Sequence, residues 1–194
     1  MRSKYSAKRQ NEWVRVEVIA KYFLLTMLLS FIGWAFEVGV LFWQTGRFYN
    51  TGLMIMPFCP IYGVSLIATY FLLGTPQEGR GILKNVADPL PRCLLYVVFA
   101  FLIPTIAELI VGFVFDRFFD TWLWSYHGMP LNLLGYICIP VSVGWAMGIF
   151  LFMGLIFKRL KTLVFKLPKV LAIMLAAMLF LPLSIDFISS MVAL

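Results

Sequence analysis

Three carboxylates stand inside long apolar runs of this chain: Glu37, Glu108 and Asp186. An ionised carboxylate at mid-membrane costs ~3 kcal/mol or more, so such a group faces a partner, a cavity or water, and its default reading is functional. Each has small or polar neighbours at helical spacing: Gly33 and Trp34 before Glu37, Thr105 and Gly112 around Glu108, and Pro182, Ser189 and Ser190 around Asp186. Counted from the ends of their runs, all three lie about equally deep, ~11 Å at 1.5 Å per residue. Such a placement suits a site for a proton, a cationic group or a polar solute. The plainer alternative is that the carboxylates bond to hydroxyls and indoles and lock a helix bundle, through contacts worth ~0.6 kcal/mol each.

Other unusual residues collect on the same side. The run Met54-Ile-Met-Pro-Phe-Cys-Pro-Ile-Tyr-Gly63 contains Pro57 and Pro60, which remove two backbone donors, so it cannot begin as a regular helix. Irregular backbone at membrane depth persists only where it is buried in protein or lines a cavity. Gly135, Cys138, Pro140 and Gly144 repeat the theme further on. Between them and Glu108 lies a loop, Asp120 to Asn132, whose Trp122, Trp124 and Tyr126 suit a membrane interface. It is either an aromatic belt or a re-entrant lid, to which His127, Pro130 and Asn132 add polar and turn chemistry. Candidate ligand-contacting residues are therefore Glu37, Trp34, Asn50, Cys59, Pro60, Tyr62, Glu108, Trp124, Tyr126, Asn132, Cys138 and Asp186. No catalytic residue is assigned, although a carboxylate base with His127 or Tyr126 as acid would serve an enzyme acting on a lipid-linked substrate. Cys59 and Cys138 could form an outward thiol pair, but there is no CxxC, and free cysteines usually pack as small hydrophobes. No metal site and no cofactor are expected, since classical ligands do not recur at i, i+3 or i+4. Met54 and Met56 read as packing.

The elements that must position these groups follow from composition. Of 194 residues, 62% are hydrophobic and only 13% charged, against about 25% charged in a soluble domain. This excludes a soluble enzyme and a disordered chain, and three cysteines exclude a disulfide scaffold. A bilayer core about 30 Å thick needs about 20 apolar residues per helix. Five segments qualify: 22–44, 54–73, 93–115, 133–157 and 170–192. All are too continuously apolar for alternating barrel strands, so the expected fold is an all-α, polytopic bundle, with residues 1–21 as a basic arm and 22–194 as a single transmembrane domain.

Charge sets the expected orientation. Fourteen of the 16 basic residues fall in the arm and in the two loops 75–92 and 158–169, leaving Arg47 and Arg117 on the opposite side. That asymmetry predicts a cytoplasmic N-terminus and an external C-terminus in a bacterial cytoplasmic membrane. It also accounts for the net charge of +7 without nucleic acid, because the basic side faces an anionic leaflet. The arm is either an amphipathic surface helix over Lys8 to Lys21 or a solvated basic segment, and the span after it reads as a retained helix rather than a signal peptide. No GxxxxGK[ST] loop occurs in the sequence, so ATP-driven transport would require a separate nucleotide-binding subunit.

The run from Glu37 through Arg47-Phe, Asn50 and Cys59 to Gly63 is echoed from Glu108 through Arg117-Phe, Asn132 and Cys138 to Gly144. Both halves begin on the cytoplasmic side, which predicts parallel repeats of spans one-two and three-four, with Glu37 opposite Glu108 and the fifth span appended.

Gly33-Trp34-Ala-Phe-Glu37, Phe48-Tyr-Asn50-Thr-Gly52, Pro57-Phe-Cys59-Pro60-Ile-Tyr62-Gly63, and then Glu108, Trp124-Ser-Tyr126, Pro130-Leu-Asn132, Gly135 and Cys138, together resemble the bacterial ABC-transporter type IV, or CmpB-like, membrane permeases. The resemblance covers roughly Phe31 to Phe152 and implies transport of a small solute or lipid, with an ATPase partner. The chain departs from the family pattern at Thr51, where relatives carry Arg, and at Ser125, where they carry Asp. Losing one member of an ion pair alone strands a charge, so the two positions are expected to have changed as a unit. By fold-level analogy the chain also resembles solute-capture subunits. An envelope-lipid enzyme and a structural or regulatory membrane subunit are the alternative readings.

Overall fold

The computed structural model describes residues 2–193, and side chains from Glu12 onward. The elements run in the order α1 (Arg2–Thr45), α2 (Pro60–Leu73), a 3-10 turn (Gly81–Leu83), α3 (Pro89–Phe119), β1 (Asn132–Leu133), β2 (Ile137–Cys138), α4 (Ile139–Leu155), α5 (Phe157–Phe165) and α6 (Lys169–Val192). Among the described residues, three stretches are long and apolar enough to cross a membrane: Glu12–Thr45, Pro89–Phe119 and Lys169–Val192. A fourth is added if α4 and α5, bent by 50° across Ile156, count as one. At 14 residues, α2 is ~21 Å long and shorter than a hydrocarbon core.

Two expected boundaries move, each for a local reason. The second run is helical only from Pro60, because Pro57 and Pro60 withhold donors and residues 54–59 take irregular backbone instead. The fourth is helical only from Ile139. Ahead of it Asn132 pairs with Cys138 and Leu133 with Ile137 in a small antiparallel hairpin, turned by Leu134 (φ 55°) and Gly135 (φ 76°). The basic arm, by contrast, is not a separate element: α1 carries it into the first span without a break. The arm's first eleven residues lie outside the described side chains.

The chain divides into two compact units, Met1–Gly63 with Leu160–Ala193, and Val64–Arg159. The boundary falls within α2 rather than in the loop after it. In the first unit α1 packs against α6, burying Leu25, Leu29, Ala172 and Leu183, with Phe23 and Phe180 ring to ring at 5.9 Å. Lys21 is buried there because its ammonium has two partners, Glu17 Oε1 at 2.6 Å and the Phe165 carbonyl at 3.0 Å. In the second unit α3 packs against α4 through Tyr96, Ala100, Ala146 and Met153. The Tyr96 hydroxyl donates to the Gly74 carbonyl at 3.2 Å, and Glu78 and Lys158 form an exposed ion pair. Large apolar side chains stay exposed along the long helices, with Trp43 90% and Phe118 76% accessible, as lipid contact allows.

Candidate functional site: a carboxylate cluster in each unit

In the first unit the cluster grows around the irregular segment between α1 and α2. Glu37, half-buried on α1, accepts a hydrogen bond from the Tyr62 hydroxyl at 3.0 Å, and the Thr51 side chain lies against the same carboxylate. Tyr62 reaches it because Gly33, one helical turn earlier, leaves space: a Cβ there would overlap the tyrosine's Cβ and ring. Trp34 donates from its indole to Asn50 Oδ1 at 2.7 Å, and Asn50 Nδ2 then donates to the Met54 and Ile55 carbonyls at 3.2 and 3.0 Å. One asparagine thus uses its acceptor on a helix and its donors on the loop, which fixes its amide orientation. Cys59 is buried, its backbone N–H reaching the Ser30 carbonyl at 3.3 Å, and Gly63 fits so closely on α1 that a Cβ would overlap Ser30 Oγ and the Thr26 carbonyl.

Asp186 belongs to the same unit but does different work. Its two carboxylate oxygens accept the backbone N–H groups of Ile55 and Met56, at 3.2 and 2.8 Å. The charge that looked available in the sequence is therefore spent on two donors that the prolines keep out of a helix. Ser189 points to the Asp186 carbonyl rather than to its carboxylate.

In the second unit Glu108 sits half-buried on α3, with Trp145 of α4 and Tyr126 of the aromatic loop against its carboxylate. Thr105 is not a partner, since its hydroxyl bonds back to the Phe101 carbonyl at 2.6 Å. Trp124 donates to the Tyr136 carbonyl at 2.9 Å. Asn132 donates to the Met129 carbonyl at 2.7 Å and accepts the Gly135 N–H at 3.2 Å, closing the turn of the hairpin. Tyr136 stacks on Trp122 at 5.2 Å and donates from its hydroxyl to Asp116 at 2.6 Å. Cys138 is fully buried with its thiol on the Pro130 carbonyl, and His127 meets Ser125 Oγ through Nδ1 at 3.0 Å. The aromatic loop is thus bonded down onto the hairpin.

The expected residues consequently fall into two groups: Glu37, Trp34, Asn50, Cys59, Pro60, Tyr62 and Asp186 in the first unit, Glu108, Trp124, Tyr126, Asn132 and Cys138 in the second. Asp116, Tyr136 and Trp145 join them unannounced, and Thr51, singled out in the sequence only as a departure from the family pattern, joins them at Glu37. Tyr136 and Trp145 stand among ordinary aromatic residues of an apolar stretch and give no comparable sign. Neither Glu37 nor Glu108 has an ion partner among the described residues; the ion pairs there are Lys21–Glu17 and Lys158–Glu78.

Long apolar helices that carry carboxylates beside stretches of irregular backbone define a helical integral membrane protein. The family model described as "Putative ABC-transporter type IV" matches residues 23–191, and the chain belongs to this ABC-transporter-related family of membrane proteins. No curated protein and no solved structure matches it.

Proposed function

We propose that the chain is the membrane permease or solute-capture subunit of an ABC-type transporter, working with a separate nucleotide-binding ATPase in the bacterial cytoplasmic membrane. The topology proposed with it has five crossings, α2 with its irregular lead-in serving as the second and α4 with α5 as the fourth. The N-terminus is cytoplasmic and the C-terminus external, an orientation that the asymmetry of the basic loops supports.

One observation carries the reading. Glu37 lies on a membrane helix, faced by the hydroxyls of Tyr62 and Thr51 and by no cation of the described residues, beside a non-helical segment whose own donors are satisfied elsewhere. A carboxylate so placed has capacity left for a proton, an amine or a hydroxyl-bearing solute. Glu108 with Tyr126 and Trp145 offers a second such place.

The test is mass spectrometry of the small molecules and lipids that co-purify with the wild type and with Glu37→Gln. Loss of a specific solute from a variant that elutes and melts like the wild type is the expected result. An unchanged set of bound molecules would overturn the assignment of Glu37, and a chemically altered lipid accumulating in a deletion strain would favour an envelope-lipid enzyme instead.

A further inference from the structure

We propose that the first unit holds a single acyl chain in the slot between α1, α6 and the 54–60 segment, so that its ligand is an amphiphile, a membrane lipid or a lipid-linked molecule. The proposal narrows the ligand class of the Glu37 site and rests on that reading for the headgroup alone.

The slot has a volume of about 320 Å³ and is walled by Phe23 and Met27 from α1, Phe58 from the irregular segment, and Phe180, Leu183 and Phe187 from α6. Its wall is almost wholly apolar, and the hydroxyl of Ser184, also on the wall, is bonded to the Phe180 carbonyl at 2.7 Å. Water entering it would find too few partners, so the slot stays free of water. It lies along two helices of membrane-spanning length, where hydrocarbon is the surrounding medium.

Shape points to the occupant. From Phe180 to Ile188 the slot follows α6 for ~12 Å. The slot is narrow and elongated along that length, a shape that suits one extended hydrocarbon chain.

The surroundings of Phe58 supply the second half of the argument. Its ring lies 6.0 Å from Phe31, which stacks on Trp34 at 5.8 Å, and the Trp34 indole is bonded to Asn50. An aromatic row therefore joins the apolar slot to the cluster of Asn50, Thr51, Tyr62 and Glu37. A tail-and-head molecule matches that layout, with its donors toward the carboxylate and its chain in the slot. Lipid tails are as apolar as the slot itself, so tail burial alone gives little preference over bilayer, and selection falls to slot shape and headgroup contacts.

The experiment uses the full chain in nanodiscs containing a phosphatidylethanolamine with a photoactivatable diazirine in its acyl chain. Labelled positions are mapped by mass spectrometry. Label is expected to concentrate on Met27, Leu183 and Phe187, about tenfold over Leu181 and Ile185, which α6 exposes elsewhere; tenfold is the change that about 1.4 kcal/mol of fitted contact makes. Leu183→Trp should remove the slot label and leave the other positions unchanged. Because Leu183 is buried and its replacement can unfold the unit, Ser184→Phe, from a partly exposed wall position, tests the same filling independently. Equal labelling of slot and exposed positions would mean bulk lipid only and would overturn the proposal. So would slot label that survives both fillings, or a slot left unlabelled because a second copy covers it. A slot that fails while Glu37→Gln still loses its solute removes this proposal alone; a labelled slot with Glu37→Gln retaining its solute removes only the assignment of Glu37.

Discussion

Both units carry a carboxylate on a long apolar helix beside a stretch of irregular backbone, yet they secure that stretch by different means. In the first, residues 54–59 are tied down by charge: Asp186, from the far end of the sequence, takes the Ile55 and Met56 N–H groups, and Asn50 takes the Met54 and Ile55 carbonyls. In the second, residues 131–138 satisfy themselves through hairpin pairing and the Asn132 turn, and Asp116 holds only the tip of Tyr136. The difference decides which acidic residues are structural. A carboxylate already accepting two backbone donors has little capacity for a ligand, whereas one facing only side-chain hydroxyls and an indole can exchange those partners for a solute at modest cost.

The largest effect should come from breaking the charged tie. Asp186→Ala leaves two donors without a partner in a stretch that cannot re-form a helix, and is expected to destabilise the protein by ~3 kcal/mol or more. Asp186→Asn, which keeps one side-chain oxygen, should lose about half of that. The corresponding change in the second unit, Asp116→Ala, removes a single side-chain bond, from the Tyr136 hydroxyl, and should cost ~1 kcal/mol or less. Thermal unfolding in detergent reads all three. Equal losses from Asp186→Ala and Asp116→Ala would show that the two units do not differ in this way.

This contrast marks where sequence reasoning stopped. Membrane class, helical character and the irregular backbone ahead of Pro60 were legible, because composition and a missing N–H are local properties. The bonds from Trp34 to Asn50 and from Tyr62 to Glu37 are likewise short-range, made across one loop. The role of Asp186 was not legible: its partners lie about 130 residues away and are backbone groups, which leave no mark on residue type. For the same reason the hairpin at 132–138 was taken into an apolar span, its turn signal being only Asn132 and Gly135 amid hydrophobic residues. Thr105 and Ser189 misled in the opposite direction, sharing a face with an acidic residue but spending their hydroxyls on their own helices.

A second pair of substitutions sharpens the comparison at the glycines beneath each tyrosine. At Gly33 a Cβ overlaps the Tyr62 ring and its Cβ, so Gly33→Ala must push Tyr62 away from Glu37; at Gly112 a Cβ stands 3.2 Å from Tyr136, which is tight but tolerable. Gly33→Ala should therefore cost ~1–3 kcal/mol and Gly112→Ala under ~1 kcal/mol, by the same unfolding measurement. The reversed order would mean that Tyr62, and not Tyr136, is free to move.

The smallest expected effect bears on what distinguishes this chain from its relatives. Thr51 is buried and faces Glu37 within its own unit. The arginine that the family pattern places at this position would thus meet a carboxylate already present, without needing an aspartate at Ser125. Thr51→Arg should then be tolerated in the wild type but destabilising in Glu37→Gln, with a coupling of ~1 kcal/mol between the two positions. A coupling of that size to Ser125→Asp, and none to Glu37, would restore the pair of Thr51 and Ser125 as the unit that changed together. If Glu37 is the partner, relatives with arginine there hold the carboxylate in an internal ion pair. This chain keeps it available, because the hydroxyl of Thr51 can bond to the carboxylate but cannot neutralise it.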